Sequence, residues 1–514
     1  MVHSKPLAIY VHWPYCRQKC SFCAFNKYTN TLKDADQEHQ FLKAYLKQIN
    51  QLAKSQLASQ SMVTSIYFGG GTPSLARPES LEAIIKTIRQ AFNVSESAEV
   101  SIECNPSSDA SLDVSLLRFY RDVLGINRIS LGVQSIRDDL LSDRMLRRDH
   151  SAADARRAMQ AVSSVFGSNY SVDLMYGMAG QTPEQFSQDM QELLGHGGEL
   201  KESTKSRNCS SSYSSGKSED SIEYEAPGHV SLYELTLEAG TPLWQATKKG
   251  TYKPAQSDLL ADYWHHIQQT MSSINPMNNT KNTVNTDTQL TNKNTHLPPF
   301  IQYEISNWSR GPMHQCKHSL SYWNAHNYLG IGPGAHARYD LSEHTEYKNT
   351  QEAASNQNPI DTTHLKNNTI SSLKHYAFRK ACINIASPKQ WHHSIMNATD
   401  TTSDEIGMAS VKTLNRHDSA IDALCFGLRK TEGVSLDDLS ERFALDIRKE
   451  CIDSSHLSHL LEAELLTTNE VKHEGNRELM SDSLSSDTSS VRMACTNKGL
   501  PLLDSILSRL LVQS

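Results

Sequence analysis

The chain has 514 residues, with 50 Lys and Arg against 57 Asp and Glu, a formal net charge of −7, and 38% hydrophobic residues. That length suffices for two or three domains with a full-sized core, and the acidic balance gives no electrostatic case for a nucleic acid or an anionic membrane as partner. No apolar run approaches the roughly 18 residues that would cross a bilayer.

The first predicted strand, Ala8–His12, runs into a loop that sets Cys16, Cys20 and Cys23 in a CxxxCxxC spacing. Three thiolates from one loop can hold three irons of a 4Fe-4S cluster and leave the fourth iron open. Structural zinc calls for four ligands in two pairs, and no partner CxxC follows. An odd set of close cysteines also suits disulfides badly. The cluster is therefore the favoured reading, and it points to a reducing compartment, the cytosol by default. No signal or transit peptide is expected ahead of a strand that starts so early. Cys104, Cys209, Cys316, Cys382, Cys425, Cys451 and Cys495 are isolated in sequence and read as ordinary thiols, Cys316 being set apart by its neighbours.

Further β-branched runs at Thr64–Phe68, Glu99–Cys104, Arg128–Val133, Ser171–Met175 and Val230–Leu235 alternate with amphipathic segments. One of these, Gln40–Leu52, puts Phe41, Leu42, Tyr45, Leu46 and Ile49 on one helical face. Repeated βα units predict a parallel sheet, either a barrel or an open portion of one, with its site at the C-terminal rim. The candidate residues fall there. Gly69-Gly70-Gly71-Thr72 follows the second strand, and consecutive glycines let a backbone approach a ligand closely. Glu103 ends the third strand, Gln134 the fourth and Asp173 the fifth. A carboxylate in such a place can pair with a cationic ligand.

Polar tracts then interrupt the pattern at 201–226, 271–297, 351–372, 397–404 and 475–491, with too few apolar residues for a core. Between them stands Cys316-Lys-His318-Ser319-Leu-Ser-Tyr322-Trp323, followed by a glycine-rich stretch, 328–336. An imidazole can ligate haem iron and two aromatics beside it can stack on a porphyrin. The alternative is a buried aromatic pair with a satisfied histidine. From about Ser419 the chain reads as helical with winged-helix-like punctuation, and Ser435 is a candidate cap. It lacks the basic stripe of a DNA-binding domain and is expected to close over the barrel mouth.

Tyr10-Val-His-Trp-Pro-Tyr-Cys16, the cysteine triad and Ala24-Phe25 resemble the radical S-adenosylmethionine (radical SAM) superfamily. Within it they are similar to the branch of oxygen-independent coproporphyrinogen III oxidases and HemW-type haem chaperones. The resemblance implies an α/β fold, a partial (β/α)6 barrel with a mainly helical, winged-helix-like C-terminal domain. It implies that Cys16, Cys20 and Cys23 ligate the cluster, and that its open iron chelates S-adenosylmethionine for cleavage to methionine and a 5′-deoxyadenosyl radical. Cofactor contacts carried over are Tyr10, Gly70, Gly71, Thr72, Glu103, Gln134, Arg148 (chosen over Arg147) and Asp173. His318, Tyr322 and Trp323 become haem candidates, with Ser319 where relatives have Asn.

Phe25 stands where the oxidases place a fourth cysteine, which favours a haem chaperone. The alternatives are coproporphyrinogen III oxidation and, more weakly, a radical methyl transfer; no catalytic residue is assigned. Expected partners are haem, a haem-accepting apoprotein, an electron donor such as a flavodoxin or ferredoxin, and a second copy in a homodimer, with no nucleic acid and no membrane span. The expected location is cytoplasmic, or mitochondrial as in animal relatives. The domains expected are a core barrel at 1–263 with its insertion 201–226, a disordered insertion 271–297, a haem-motif and barrel-closing segment 300–340, mostly low-complexity insertions 351–415, and the C-terminal domain 419–514.

Overall fold

Six strands, β1 (Lys5–Trp13), β2 (Ser61–Gly70), β3 (Val94–Cys104), β4 (Arg128–Gln134), β5 (Tyr170–Tyr176) and β6 (His229–Glu234), lie side by side in chain order, each parallel to the next. The computed structural model describes residues 4–29, 35–106, 112–142, 146, 148–195, 224–274, 298–341, 379–399, 405–472 and 489–512. Crossover helices such as Ala35–Leu52, Pro78–Ala91, Ala152–Phe166 and Pro183–Leu194 connect the strands. Local chemistry starts two of these sharply. Ser151 with Asp154, and Thr182 with Gln185, form reciprocal capping boxes, the second with Pro183 at the first helical position. Leu7, Ile9 and Val11 of β1 are buried with Phe41, Tyr45 and Ile49 of the first helix in one core.

The sheet continues past both sides of this half-barrel. On one side β6 is followed by antiparallel β8 (Asn307–Ser309) and β7 (Ile301–Gln302). On the other, β9 (Asn327–Ile331) pairs parallel with β1, and β10 (His336–Asp340), β11 (Arg379–Asn384) and β12 (Met408–Leu414) follow antiparallel. The expected partial barrel is thus present, and a seventh parallel strand stands where only a glycine-rich stretch was legible.

The tract boundaries need correction. Residues 379–399 and 405–414 are not low-complexity insertion: they supply β11, β12 and the helix Pro388–Asn397, whose Trp391 packs on Phe41 and Tyr45. Met271 and Ile274 complete the buried face of the helix Ser257–Ile274, Tyr224 and Ala226 are buried, and Val491 lies in a strand. Residues 201–223, 275–297, 351–372, 400–404 and 475–488, with Cys209 and Arg147, lie outside the described residues.

The C-terminal unit packs the helices Arg416–Gly427, Leu436–Phe443, Ser454–Glu462 and Leu503–Leu510 on β13 (Val434–Ser435), β15 (Ser489–Cys495) and β14 (Leu466–Lys472), around Leu424, Phe443, Ile447 and Met493. Ser435 caps its helix by accepting from Asp438 N at 3.1 Å. This unit does not cover the barrel mouth. It docks at the opposite end through Lys430 Nζ to Asn324 Oδ1 (2.7 Å) and Arg338 Nε to Asp422 Oδ2 (2.8 Å), with a further contact beside β6 from Ile305 N to Arg429 O (2.9 Å). That end is fixed by register, since Asn327 is paired with Leu7 near the start of β1. The short segment 303–326 gives the domain polar partners there, which the expectation had not counted.

Candidate functional site

The cysteine loop leaves β1 at the rim and is pinned at both ends. Cys16 N donates to Tyr28 O (3.0 Å) and Tyr28 N to Pro14 O (2.7 Å), while His12 Nε2 bonds Asn26 O (2.7 Å). The glycines after β2 serve this loop. Gly71 N donates to Trp13 O at 2.7 Å and Thr72 N to Tyr15 O at 2.8 Å. A Cβ on Gly71 would stand 2.6 Å from Tyr15 O, and Gly70, at φ +113°, would drive one into the His12 ring. Only glycine lets β2 pass this close to the loop.

Cys16, Cys20 and Cys23 carry no disulfide and line one cavity of about 420 Å³ at the rim. Burial pushes the Cys16 thiol up to about 11, the Thr72 hydroxyl acting against it. A hydrogen-bonded chain joins two of the cysteines across the rim. Arg148 Nη1 lies 3.1 Å from Cys20 Sγ, and its Nη2 donates to Asn105 Oδ1 at 2.9 Å and Gly132 O at 2.8 Å. Asn105 Nδ2 donates to Thr72 Oγ1 (3.2 Å), whose hydroxyl lies 3.6 Å from Cys16 Sγ. Asn105 was missed from sequence; its position two residues beyond Glu103, at the same strand end, was the available signal.

The same cavity is lined by Gly70, Gly71, Thr72, Glu103, Gln134, Arg148 and Asp173. Glu103 accepts from Tyr67 OH (2.9 Å) and Gly70 N (3.1 Å), and burial raises its carboxyl to about 7. Asp173 accepts from Ser130 Oγ at 3.2 Å and is raised to about 6, again by burial. Gln134 holds φ +66° beside a break in the β4–β5 register, an uncommon conformation for a residue with a side chain. Tyr10 is not brought to the cavity lining. Its hydroxyl bonds His12 Nδ1 at 3.0 Å and its ring stacks on Tyr67.

The donor set fits the two groups the sequence implies. Three thiols open on one cavity, one with a guanidinium beside its sulfur, as a thiolate requires. Two half-buried carboxyls, Glu103 and Asp173, face the same space, where a sulfonium and an ammonium need partners. Among the described residues no three His, Cys, Asp or Glu side chains are grouped as ligands of a single metal ion.

The haem candidates fall elsewhere, and this is a correction. His318 is 3% exposed, in the helix Lys317–Trp323. Its Nδ1 bonds Ser65 Oγ at 3.0 Å and its Nε2 bonds Tyr322 OH at 2.8 Å, so neither ring nitrogen is left for iron. Burial lowers it to about 3, keeping it neutral. Tyr322 packs edge-on against Tyr328, and Trp323 lies under the Arg429 guanidinium at 5.4 Å. None of the three lines the cavity, whereas Cys316 and Ser319 do.

Residues 10–193 match the Radical SAM superfamily. The chain carries a radical SAM domain. Its four β-strand ends from Cys16 to Gln134, and Asp173 beyond them, all lie inside that match. The likeness to relatives extends over more residues than that match. The chain is 33% identical over 332 residues to Radical S-adenosyl methionine domain-containing protein 1, mitochondrial, of Mus musculus, covering 65% of this chain and 60% of that one. The Danio rerio protein of that name is 31% identical over 337 residues, 66% and 61% of the two chains, so the match spans about three-fifths of these relatives' length. Heme chaperone HemW of Haemophilus influenzae is 29% identical over 357 residues, 67% of this chain and 74% of its own. In fold the chain is similar to coproporphyrinogen III oxidase (HemN) from Escherichia coli, with a TM-score of 0.62 over 98% of this chain and 90% of that one, at 16% identity. Among the described residues no helix is long and apolar enough to cross a membrane.

Proposed function

We propose that the protein is a haem chaperone in which a 4Fe-4S cluster and S-adenosylmethionine form a regulatory or delivery module. Phe25 carries the reading. It is 68% exposed on the cavity wall, two residues past Cys23, where the resemblance puts a fourth cysteine in the oxidases. The name of the Haemophilus influenzae relative supports the same reading.

Cys16, Cys20 and Cys23 would hold three irons, and Gly70, Gly71, Thr72, Glu103, Gln134, Arg148 and Asp173 would hold S-adenosylmethionine beside the fourth. Bound together, the two groups supply one-electron reductive cleavage of a sulfonium. The protein's own part is to hold the loop by His12, Tyr28 and Gly71, to set Arg148 against Cys20, and to offer carboxyls to the cationic ligand. Phe25, with Phe22, Met175 and Tyr233 on the same wall, gives the cavity an apolar side on which a flat macrocycle can lie. His318 has no place in this proposal. A donor such as a flavodoxin or ferredoxin would supply the electron, and an apoprotein would accept the haem.

Anaerobic reconstitution followed by parallel assays tests the proposal. The expected result is retained haem with a Soret band and no protoporphyrinogen from coproporphyrinogen III. Turnover to protoporphyrinogen with no haem retained sinks it in favour of the oxidase.

A further inference from the structure

β/α barrels ordinarily fill their interior with bulky branched side chains. Here the neighbouring strands β3 to β6 place Ser101, Ser130, Ser171 and Ser231 on the cavity wall, and the cavity runs down between them to Arg128, Asn307, Cys316 and Ser319. At this deep end three polar atoms have no hydrogen-bond partner among the described residues: Arg128 Nη2, Ser101 Oγ and Asn307 Oδ1. All three residues are buried, at 3%, 0% and 7% exposure. Arg128 and Ser101 are register partners on adjacent strands. Ser101 precedes Glu103 by two residues, about 7 Å deeper along the strand than the carboxyl at the rim.

The charge of this deep end is already balanced. Arg128 Nη1 donates to His314 O at 2.8 Å and stands 4.0 Å from Glu99 Oε2. Glu99 in turn accepts from Lys317 N and His318 N. An added anion would share one buried cation with Glu99 and face Asp173 and Glu103 above, which is unfavourable in a low-dielectric space. A neutral carbonyl suits Arg128 Nη2 and the Ser101 hydroxyl, and an N–H suits Asn307 Oδ1. The Asn307 amide nitrogen is engaged by Glu304.

We propose that the closed end of the barrel lumen, below the S-adenosylmethionine layer, is a subsite for a small neutral ligand carrying a carbonyl beside an N–H, an amide or lactam. The proposal uses the cofactor placement at Glu103 and no part of the haem reading.

The probe is 2-pyrrolidinone, followed by saturation-transfer NMR on the reconstituted full chain, with and without S-adenosylmethionine. Binding is expected in both states, with sodium acetate unable to compete. Ser101→Ala removes a hydroxyl that holds no other side chain, so cluster absorption and cofactor affinity should stay as they are. Lactam affinity should fall about threefold to tenfold. Arg128→Lys keeps a cation for Glu99 but loses the forked donor and should fall further. Four results overturn the proposal: no lactam signal, which leaves the floor to water; stronger binding of acetate; displacement of the lactam by S-adenosylmethionine, which makes the floor part of the cofactor site; or equal affinity in the Ser101→Ala protein. Haem binding is read separately by its Soret band, so failure here leaves that reading standing.

Discussion

The rim of the barrel and the helix Lys317–Trp323 at its other end are built from similar material: a sulfur, an imidazole, aromatic rings and a buried carboxylate on neighbouring strands. They differ in what is left over. At the rim, Cys20, Cys23, Glu103 and Asp173 face a cavity with binding capacity to spare. At the helix, Glu99 is taken by Lys317 N and His318 N, and His318 by Ser65 and Tyr322. A ligating residue type becomes a ligand only where tertiary partners leave it free. Apart from Tyr322, four residues on in the same helix, those partners sit on β2 and β3, more than two hundred residues away in sequence.

The comparison breaks most visibly at the cysteines. Replacing Cys16, Cys20 or Cys23 by Ala should abolish cluster absorption and bound iron after reconstitution, while Cys104→Ala and Cys316→Ala retain both. Loss of the cluster in either of the latter would move the site.

At the other end, His318→Ala should act on folding. It leaves the Ser65 and Tyr322 hydroxyls unpaired beside a small hole, a cost of about 3 kcal/mol, with cluster content and the Soret band of bound haem unchanged. Chemical denaturation measures the first and absorption the second. A changed Soret band at unchanged stability would restore the imidazole as an iron ligand.

The smallest effect sharpens the rim itself. Glu103→Gln should weaken S-adenosylmethionine binding by about 2 kcal/mol, the loss of a charge-assisted contact. Its pH dependence has a definite sign. Burial raises the Glu103 carboxyl from 4.5 to about 7, so the folded apoprotein holds that proton more tightly than the unfolded chain. Its contribution to stability is present below about 4.5 and lost as pH rises through about 7. Binding of a cationic ligand runs the other way, strengthening across the same window as the carboxylate forms. Calorimetry from pH 6 to 8 should show this slope in the parent and a flatter line in the Gln variant; parallel lines would remove Glu103 from the site.

The rim was legible because its residues announce themselves at strand ends: a strand, then a motif, repeated through Asp173. Periodicity marked all six strands, and the two-residue period also set which side chains point inward. β9 was hidden because Gly330 and Gly332 made it look like loop; Gly330 leaves room for His336 O of the neighbouring hairpin, an approach invisible before folding. Asn105 escaped because its role depends on Arg148, a residue from the next βα unit. The docking side of the C-terminal unit could not be read either, since Lys430, Asn324 and Asp422 become partners only through the fold.

The segment from Phe300 to Trp323 stands across the lower ends of β2, β3, β4 and β6, through Ser65, Glu99, Arg128 and His229. Among the described residues that leaves the lumen reached from its rim, and one way in imposes a queue. Whatever sits deepest must enter first and leave last, and its dwell time is set by how long the occupant above it stays. Dissociation rates, more than affinities, would then report the depth at which each molecule rests.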